Sequence, residues 1–164
     1  MKKLFFACSI ALFIGLTSCN DSGDKKAGSV SGNLKAQADS LENEVLKGHD
    51  ITMPKSMKIP DLQQNIKRLI DSIDKLPAKA KEAASSYKAQ LQSMDKELGD
   101  AYTSMDNWME AFGQRMQELN SDSLKTHYEE KVKYYSQEKL KIDKIKDAVL
   151  GSVQKADSLL KAKF

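Results

Sequence analysis

The residues best suited to bind a ligand occur in two short patches. The first has one imidazole and two thioethers at intervals of four residues, His49, Met53 and Met57, which share a face if the chain is helical there. The second has two further thioethers, Met105 and Met109. Thioethers are soft ligands that select Cu(I), and imidazole also binds copper. The five residues are therefore candidate ligands of a soft metal, with copper as the alternative to the expectation of no cofactor.

Two other interpretations of these patches stay open. Methionine often fills irregular gaps in a core, and Trp108 could cover such a gap beside a bend at Pro54, with His49 tied to Asp50. This is the usual role of methionine and aromatic residues at helical spacing. A haem held by a Met/His pair is the other alternative, without covalent attachment, because the sequence has no C-x-x-C-H motif.

Cys19 is a candidate for covalent modification. A basic start, Lys2-Lys3, precedes an apolar run over residues 4–16, and Leu16-Thr17-Ser18-Cys19 follows. This pattern resembles the bacterial lipobox, which directs cleavage before a cysteine that receives acyl chains such as palmitate. The run of 13 residues is shorter than the about 20 that span a bilayer. We expect residues 1–18 to be a signal peptide and Cys19 to anchor the protein in the cell envelope through lipid.

Removal of the signal peptide would leave 146 of the 164 residues, enough for one domain with a core. The formal net charge would fall from +3 to +1, because Lys2 and Lys3 leave with the signal. Such a balance does not indicate a nucleic-acid partner. Cys8 would leave too, and a lipidated Cys19 would give no disulfide, so packing must provide the stability.

The motifs of the common enzyme classes are missing from the sequence. It has no glycine-rich phosphate loop, no G-x-S-x-G and no H-E-x-x-H. A di-iron bundle needs Glu-x-x-His, but Leu46 and Leu124 stand three residues before His49 and His127. We therefore expect no enzymatic activity and no catalytic residue, and we interpret His127 as a surface histidine.

The elements that position these residues are predicted to be helices. Residues 19–33 are rich in Gly, Ser, Asp, Asn and Lys and predict a flexible tether, and residues 34–164 predict a helical bundle domain. The strongest pattern is an apolar stripe with alternating steps of four and three residues, typical of a long helix. It consists of Ala80, Ala84, Tyr87, Leu91, Met94, Leu98, Ala101, Met105, Trp108 and Phe112.

A second apolar stripe consists of Tyr135, Ile142, Ile145, Val149, Ala156 and Leu159. Glu138 and Ser152 occupy two positions of this stripe as polar exceptions. Pro77 and residues 120–123 separate the stripes, which predicts helices over 34–76, 78–119 and 122–162. Three similar lengths favour an all-α, up-down-up bundle of three long helices with coiled-coil-like packing. Pro54 and Pro60 predict a kink in the first helix. The alternative is a helical hairpin that pairs with a second copy, which would make a homo-oligomer.

Antiparallel pairing of the first two predicted helices gives an expected register. If residue 34 lies beside residue 119, His49 lies opposite Ser104, and Pro54 lies opposite Gly99. Met105, Trp108 and Met109 would then fall within about two turns of His49. The two patches are therefore expected to meet.

The two patches also resemble a known group of proteins. His49-Asp50, Met53-Pro54-Lys55 and Met57, followed by Met105-Asp106 and Trp108-Met109, resemble small helical lipoproteins of Bacteroidetes-type bacteria, often labelled viral A-type inclusion proteins. The resemblance implies an envelope-anchored helical protein whose two patches belong together. It implies no activity.

Two functions are compatible with these features. The first is a non-enzymatic, lipid-anchored helical protein that acts through contact with another envelope protein or as a structural element. The second is a binding module for copper or haem that uses the His/Met cluster.

Overall fold

The computed structural model describes residues 23–162, with side chains from residue 31 onward, and this part of the chain is helical without any strand. The prediction of an all-α fold is confirmed. The helices are α1 (Gly23–Ser56), α2 (Ile59–Asp74), α3 (Ala78–Ala83), α4 (Ser85–Leu119) and α5 (Tyr128–Lys161). The predicted signal peptide and Cys19 lie outside the described residues.

The first predicted helix, 34–76, is divided into α1 and α2 by a turn at residues 57 and 58. Pro54 lies inside α1, in its last turns, and Pro60 lies in the first turn of α2. A proline has no N–H to donate, so it suits the start of a helix and interrupts a continuing one. The division at residues 57–58 therefore follows from Pro60.

Helix α1 begins earlier than the sequence predicted. Residues 23–33, expected to belong to a flexible tether, form the first turns of α1. Once a helix has been nucleated by its packed part, each added residue gains a hydrogen bond at little further cost. Composition alone therefore gave the wrong structure for this segment. The remaining part of the predicted tether, residues 19–22, lies outside the described residues.

Helix α5 begins later than predicted, at Tyr128 and not at residue 122. The preceding residues form turns in which the Ser121 carbonyl accepts hydrogen bonds from the Leu124 and Lys125 amides. Lys125 Nζ also donates to Asp122 Oδ1 at 2.8 Å. Short polar side chains such as serine and aspartate favour local turns over helix, which accounts for the late start. The second predicted helix, 78–119, is likewise divided at Ala84 into α3 and α4.

Helix α5 is the packing partner that α1 and α4 share. It runs antiparallel to α4, because Arg115 late in α4 pairs with Glu130 early in α5, and Glu97 pairs with Lys155 at 2.7 Å. It runs parallel to α1, where Lys139 lies 3.5 Å from Glu44. Helix α1 makes only sparse contacts with α4. A groove therefore lies between these two helices.

Helix α2 packs antiparallel to α4 in the other half of the molecule. Gln63 Nε2 donates to the Asp95 carbonyl at 3.1 Å, and Lys88 Nζ donates to Asp74 Oδ1 at 2.5 Å. These contacts fix α2 along the first half of α4. Helix α4 therefore faces α2 with its N-terminal half and α1 with its C-terminal half.

The buried apolar residues form two clusters. The predicted stripe of α4 supplies both, because its positions from Ala84 to Phe112 are buried apart from the half-buried Tyr87. Ala80, the first residue of the stripe, is exposed. The first core cluster joins α1, α4 and α5 and consists of Ala38, Val45, Met105, Trp108, Phe112, Tyr135 and Ile142. The second joins α2, α4 and α5 around residues such as Ile59, Ile66, Leu91, Leu98 and Val149.

Gly48 is the point at which α1 approaches α5 too closely for a side chain. A Cβ atom at this position would lie 3.0 Å from both Cγ1 and Cγ2 of Ile142, which is itself fully buried. The missing side chain therefore brings the α1 backbone against α5.

Gly48→Ala is expected to destabilise the protein. Overpacking against Ile142 costs about 1–3 kcal/mol, which exceeds the about 1 kcal/mol that alanine gains over glycine in a helix. We expect a net loss on the order of 1 kcal/mol in the free energy of unfolding, measured by urea denaturation.

Gly151→Ala is the matched control, because a Cβ atom there meets nothing within 4 Å. It should stabilise α5 by about 0.5–1 kcal/mol. Stabilisation by both substitutions would contradict the close approach at Gly48.

Candidate functional site

The groove between α1 and α4 contains members of both predicted patches. It has a volume of about 180 Å³. We call it the α1–α4 groove. Its lining residues are Leu46 and His49 of α1 and Trp108, Met109, Phe112 and Gly113 of α4.

The contact between His49 and Trp108 sets the register of α1 against α4. The centroids of the two rings lie 6.1 Å apart. The sequence placed His49 opposite Ser104, so the expected register was wrong by about one helical turn. A Cβ atom at Gly99 would likewise lie nearest to Gln63 Nε2, at 3.5 Å, with no atom of Pro54 within 4 Å. The expected register assumed uninterrupted helices with paired ends, which the turn at 57–58 and the short helix α3 prevent.

Three of the four candidate methionines lie in or against the first core cluster. Met105 is fully buried, and Met53 and Met109 are half-buried and pack against that cluster. Met57 is 66% exposed. It lies in the turn after α1, where the helical face that carries His49 and Met53 ends. The structure therefore brings His49, Met53, Met105 and Met109 into one region and leaves Met57 at the surface.

The His49 ring is oriented by its neighbour in the sequence. Nδ1 lies 3.0 Å from Asp50 Oδ1, and the His49 side chain is 31% exposed. Within residues 31–162 no hydrogen bond of Nε2 is formed. The ring therefore presents Nε2 as the nitrogen available to a ligand.

A buried carboxylate holds Trp108 from the side of α5. Trp108 Nε1 donates to Glu138 Oε2 at 2.8 Å, and Lys141 Nζ donates to Glu138 Oε1 at 2.7 Å. Glu138 is 3% exposed, so both of its oxygens find partners inside the protein. A buried carboxylate requires such partners to offset the loss of hydration. The pair fixes the indole ring at the base of the α1–α4 groove.

No known family, curated protein or solved structure matches this chain. Within residues 23–162, no helix is long and apolar enough to cross a membrane. The same part of the chain has no group of three or more His, Cys, Asp or Glu side chains that could hold a metal ion.

A row of rings continues from the groove toward α5. Trp108 and Phe112 stack with their centroids 4.9 Å apart, and Phe112 and Tyr134 stack at 6.1 Å. The Arg115 guanidinium lies over the Tyr134 ring at 6.0 Å and also pairs with Glu118 at 2.6 Å. The predicted stripes included neither Tyr134 nor Arg115. The only sequence signal for Tyr134 was its position next to Tyr135. Tyr135 belongs to the second predicted stripe, and Tyr134 lies beside that stripe.

Burial changes the ionisation of Tyr134 and of its neighbour in the sequence, Tyr135. Loss of hydration raises the pKa of Tyr134 to about 12, and the Glu138 carboxylate adds to the increase. The Arg115 guanidinium acts in the opposite direction with a smaller effect. Burial also raises the pKa of Tyr135, with a further contribution from Glu42. The folded state therefore favours the neutral phenols.

The free energy of unfolding should decrease between about pH 10 and pH 12. An unfolded tyrosine ionises near pH 10, so the contribution of neutral Tyr134 is complete below that pH and is lost as the pH rises toward 12. Tyr134→Phe removes the ionising hydroxyl. This variant should lose less stability than the parent over that range when both are compared by urea denaturation.

The lysines of the parent and the variant are identical, so their deprotonation cancels in the comparison. Equal losses of stability from pH 10 to pH 12 in the two proteins would show that the Tyr134 hydroxyl is not protected by burial.

Proposed function

We propose that the protein is a lipid-anchored, non-enzymatic module of the cell envelope that acts by contact with another envelope protein. The observation that supports this is the uncovered apolar surface along the α1–α4 groove. Leu46, which lines the groove, and Tyr102, on the face of α4 that carries Met109, are 39% and 41% exposed. Large exposed apolar side chains that continue a groove are typical of interaction sites.

These exposed residues extend the groove along both helices. On α1, Leu46, His49 and Met53 follow one another at three and four residues and so share a face. On α4, Tyr102 precedes Met109 by seven residues, about two turns, and therefore lies on the same face. An apolar strip of this form suits the apolar face of an amphipathic helix.

The edges of the groove carry acidic side chains. Asp50 follows Leu46 by one turn on α1, and Asp106 and Glu110 follow Tyr102 by one and two turns on α4; all three are exposed. None of the three forms a salt bridge with a lysine or arginine among the described side chains. We therefore infer that the partner is an amphipathic helix with lysine or arginine beside its apolar face, since complementary charge guides and orients association.

The lipid anchor is supported by Leu16-Thr17-Ser18-Cys19. Because α1 is helical from Gly23, His49 stands about 40 Å along the helix from its start, at 1.5 Å per residue.

We infer that α1 with α2, α3 with α4, and α5 form the three arms of an up-down-up bundle, bent in its first arm between Pro54 and Pro60. The parallel packing of α1 on α5 and the antiparallel packing of α4 on both neighbours support this arrangement. Such a bundle would present the groove well above the membrane.

Site-specific photo-cross-linking in intact cells tests the contact. A photoreactive residue at Tyr102, on the face of α4 that continues the groove, should give one cross-linked species. The same residue at Leu140 is the matched control, because Leu140 is a large apolar side chain that is 64% exposed but belongs to α5, which supplies no residue to the groove. Asp106→Lys combined with Glu110→Lys should weaken the cross-link at Tyr102 several-fold by reversing the charge at the groove edge.

An equally strong cross-link at Leu140, or one at Tyr102 that ignores the charge reversal, would contradict the proposed contact. Cys19→Ser is the control for the anchor. If Cys19 carries lipid, this variant should lose acyl labelling and leave the membrane fraction, while the parent stays membrane-bound.

A further inference from the structure

His49 and Met109 line the α1–α4 groove, and the thioethers of Met53 and Met105 lie in or against the first core cluster, to which Trp108 of the groove belongs. His49 and Met53 lie one turn apart on α1, and Met105 and Met109 lie one turn apart on α4. The helices run antiparallel, with His49 beside Trp108. One turn further along α1, Met53 therefore comes level with Met105. Met109 lies one residue beyond Trp108 and lines the groove together with His49.

The orientation of His49 is the one expected of a metal ligand. Its Nδ1 lies 3.0 Å from the Asp50 carboxylate, which leaves Nε2 for a ligand. A metal-bound histidine commonly donates its other N–H to a carboxylate, which fixes the tautomer and the ring orientation. Its partial exposure, 31% of the side chain, allows an ion to reach it from solvent.

Trp108 adds a ring that can interact favourably with a cation. Its centroid lies 6.1 Å from that of His49, and its N–H is occupied by Glu138. A cation within about 6 Å of an indole centroid is attracted to the ring, and the attraction grows when water is excluded. The indole is held from one side by Glu138 and is stacked on Phe112. The ring is therefore already in position before an ion binds.

We propose that one Cu(I) ion binds at the α1–α4 groove through His49 Nε2 and the Met109 sulfur, which line it, and through the Met53 sulfur one turn from His49, with the Trp108 ring beside the ion. One imidazole and two thioethers are a donor set suited to Cu(I) and poorly suited to Mg²⁺ or Ca²⁺, which need oxygen ligands. Met105 is fully buried and Met57 is 66% exposed, so neither is assigned to the site. The metal site does not depend on the proposed protein contact.

Anaerobic titration of the full chain in detergent with Cu(I) tests the site. Trp108 is the only tryptophan of the sequence, so its fluorescence reports this groove alone. We expect quenching that is complete at one Cu(I) per chain. Competition with a chromophoric Cu(I) chelator gives the affinity, and a higher unfolding temperature with Cu(I) shows that the folded state binds it.

His49→Gln and Met109→Leu should each lower the Cu(I) affinity at least tenfold. Leucine is close to methionine in volume, so the second variant should keep the fold and the apolar groove. Asp50→Asn should lower the affinity by about tenfold, as the loss of a carboxylate that orients a histidine ligand typically does. Met94→Leu is the matched control: Met94 is also a core methionine of α4 but belongs to the second core cluster, and its loss should change nothing.

Three results would overturn the site. One is the absence of Trp108 quenching in the parent at stoichiometric Cu(I). Another is an unchanged affinity in Met109→Leu when its unfolding temperature without metal equals that of the parent. The third is an equal loss of affinity in Met57→Leu, which would show binding by a surface thioether outside the groove.

Discussion

The hydrogen bond between the Trp108 indole and the buried Glu138 carboxylate is the interaction on which the rest of the structure depends. It joins α4 to α5 at the level where α1 packs against both core helices. A carboxylate that is 3% exposed is tolerated only with its partners in place, so α4 and α5 cannot slide past each other without leaving it unpaired. This contact therefore fixes both the register of the two helices and the orientation of the indole.

The groove follows from the way in which α1 joins this pair. Gly48 lets the α1 backbone lie against Ile142 of α5, whereas no comparable close approach joins α1 to α4 among the described residues. Helix α1 is therefore drawn toward α5, and an open strip is left beside α4. His49 reaches across this strip to the indole that Glu138 holds. The candidate site is thus a consequence of one missing side chain and one buried hydrogen bond.

The sequence predicted the helical content and the buried face of α4, because an apolar residue every three or four positions defines which face packs. Periodicity does not define which residue lies across from which, and the expected position of His49 opposite Ser104 was wrong for that reason. Glu138 was recognised as a polar exception on its stripe, but nothing in the sequence connected it with Trp108. Met57 looked equivalent to Met53 by spacing, and only the turn before Pro60 separates the two.

The hydrogen bond between Trp108 and Glu138, on which the structure depends, is tested most directly by a double-mutant cycle between these two residues. The free energy of unfolding is measured by urea denaturation for the parent, Trp108→Phe, Glu138→Leu and the double variant. The smaller ring at position 108 and the loss of the ion pair between Lys141 and Glu138 affect the single and double variants alike, so both effects cancel in the coupling energy. A hydrogen bond to a buried charge predicts a coupling energy of about 1.5–3 kcal/mol. A coupling energy within about 0.5 kcal/mol of zero, the range in which independent sites are additive, would show that the indole and the carboxylate do not hold α4 and α5 together.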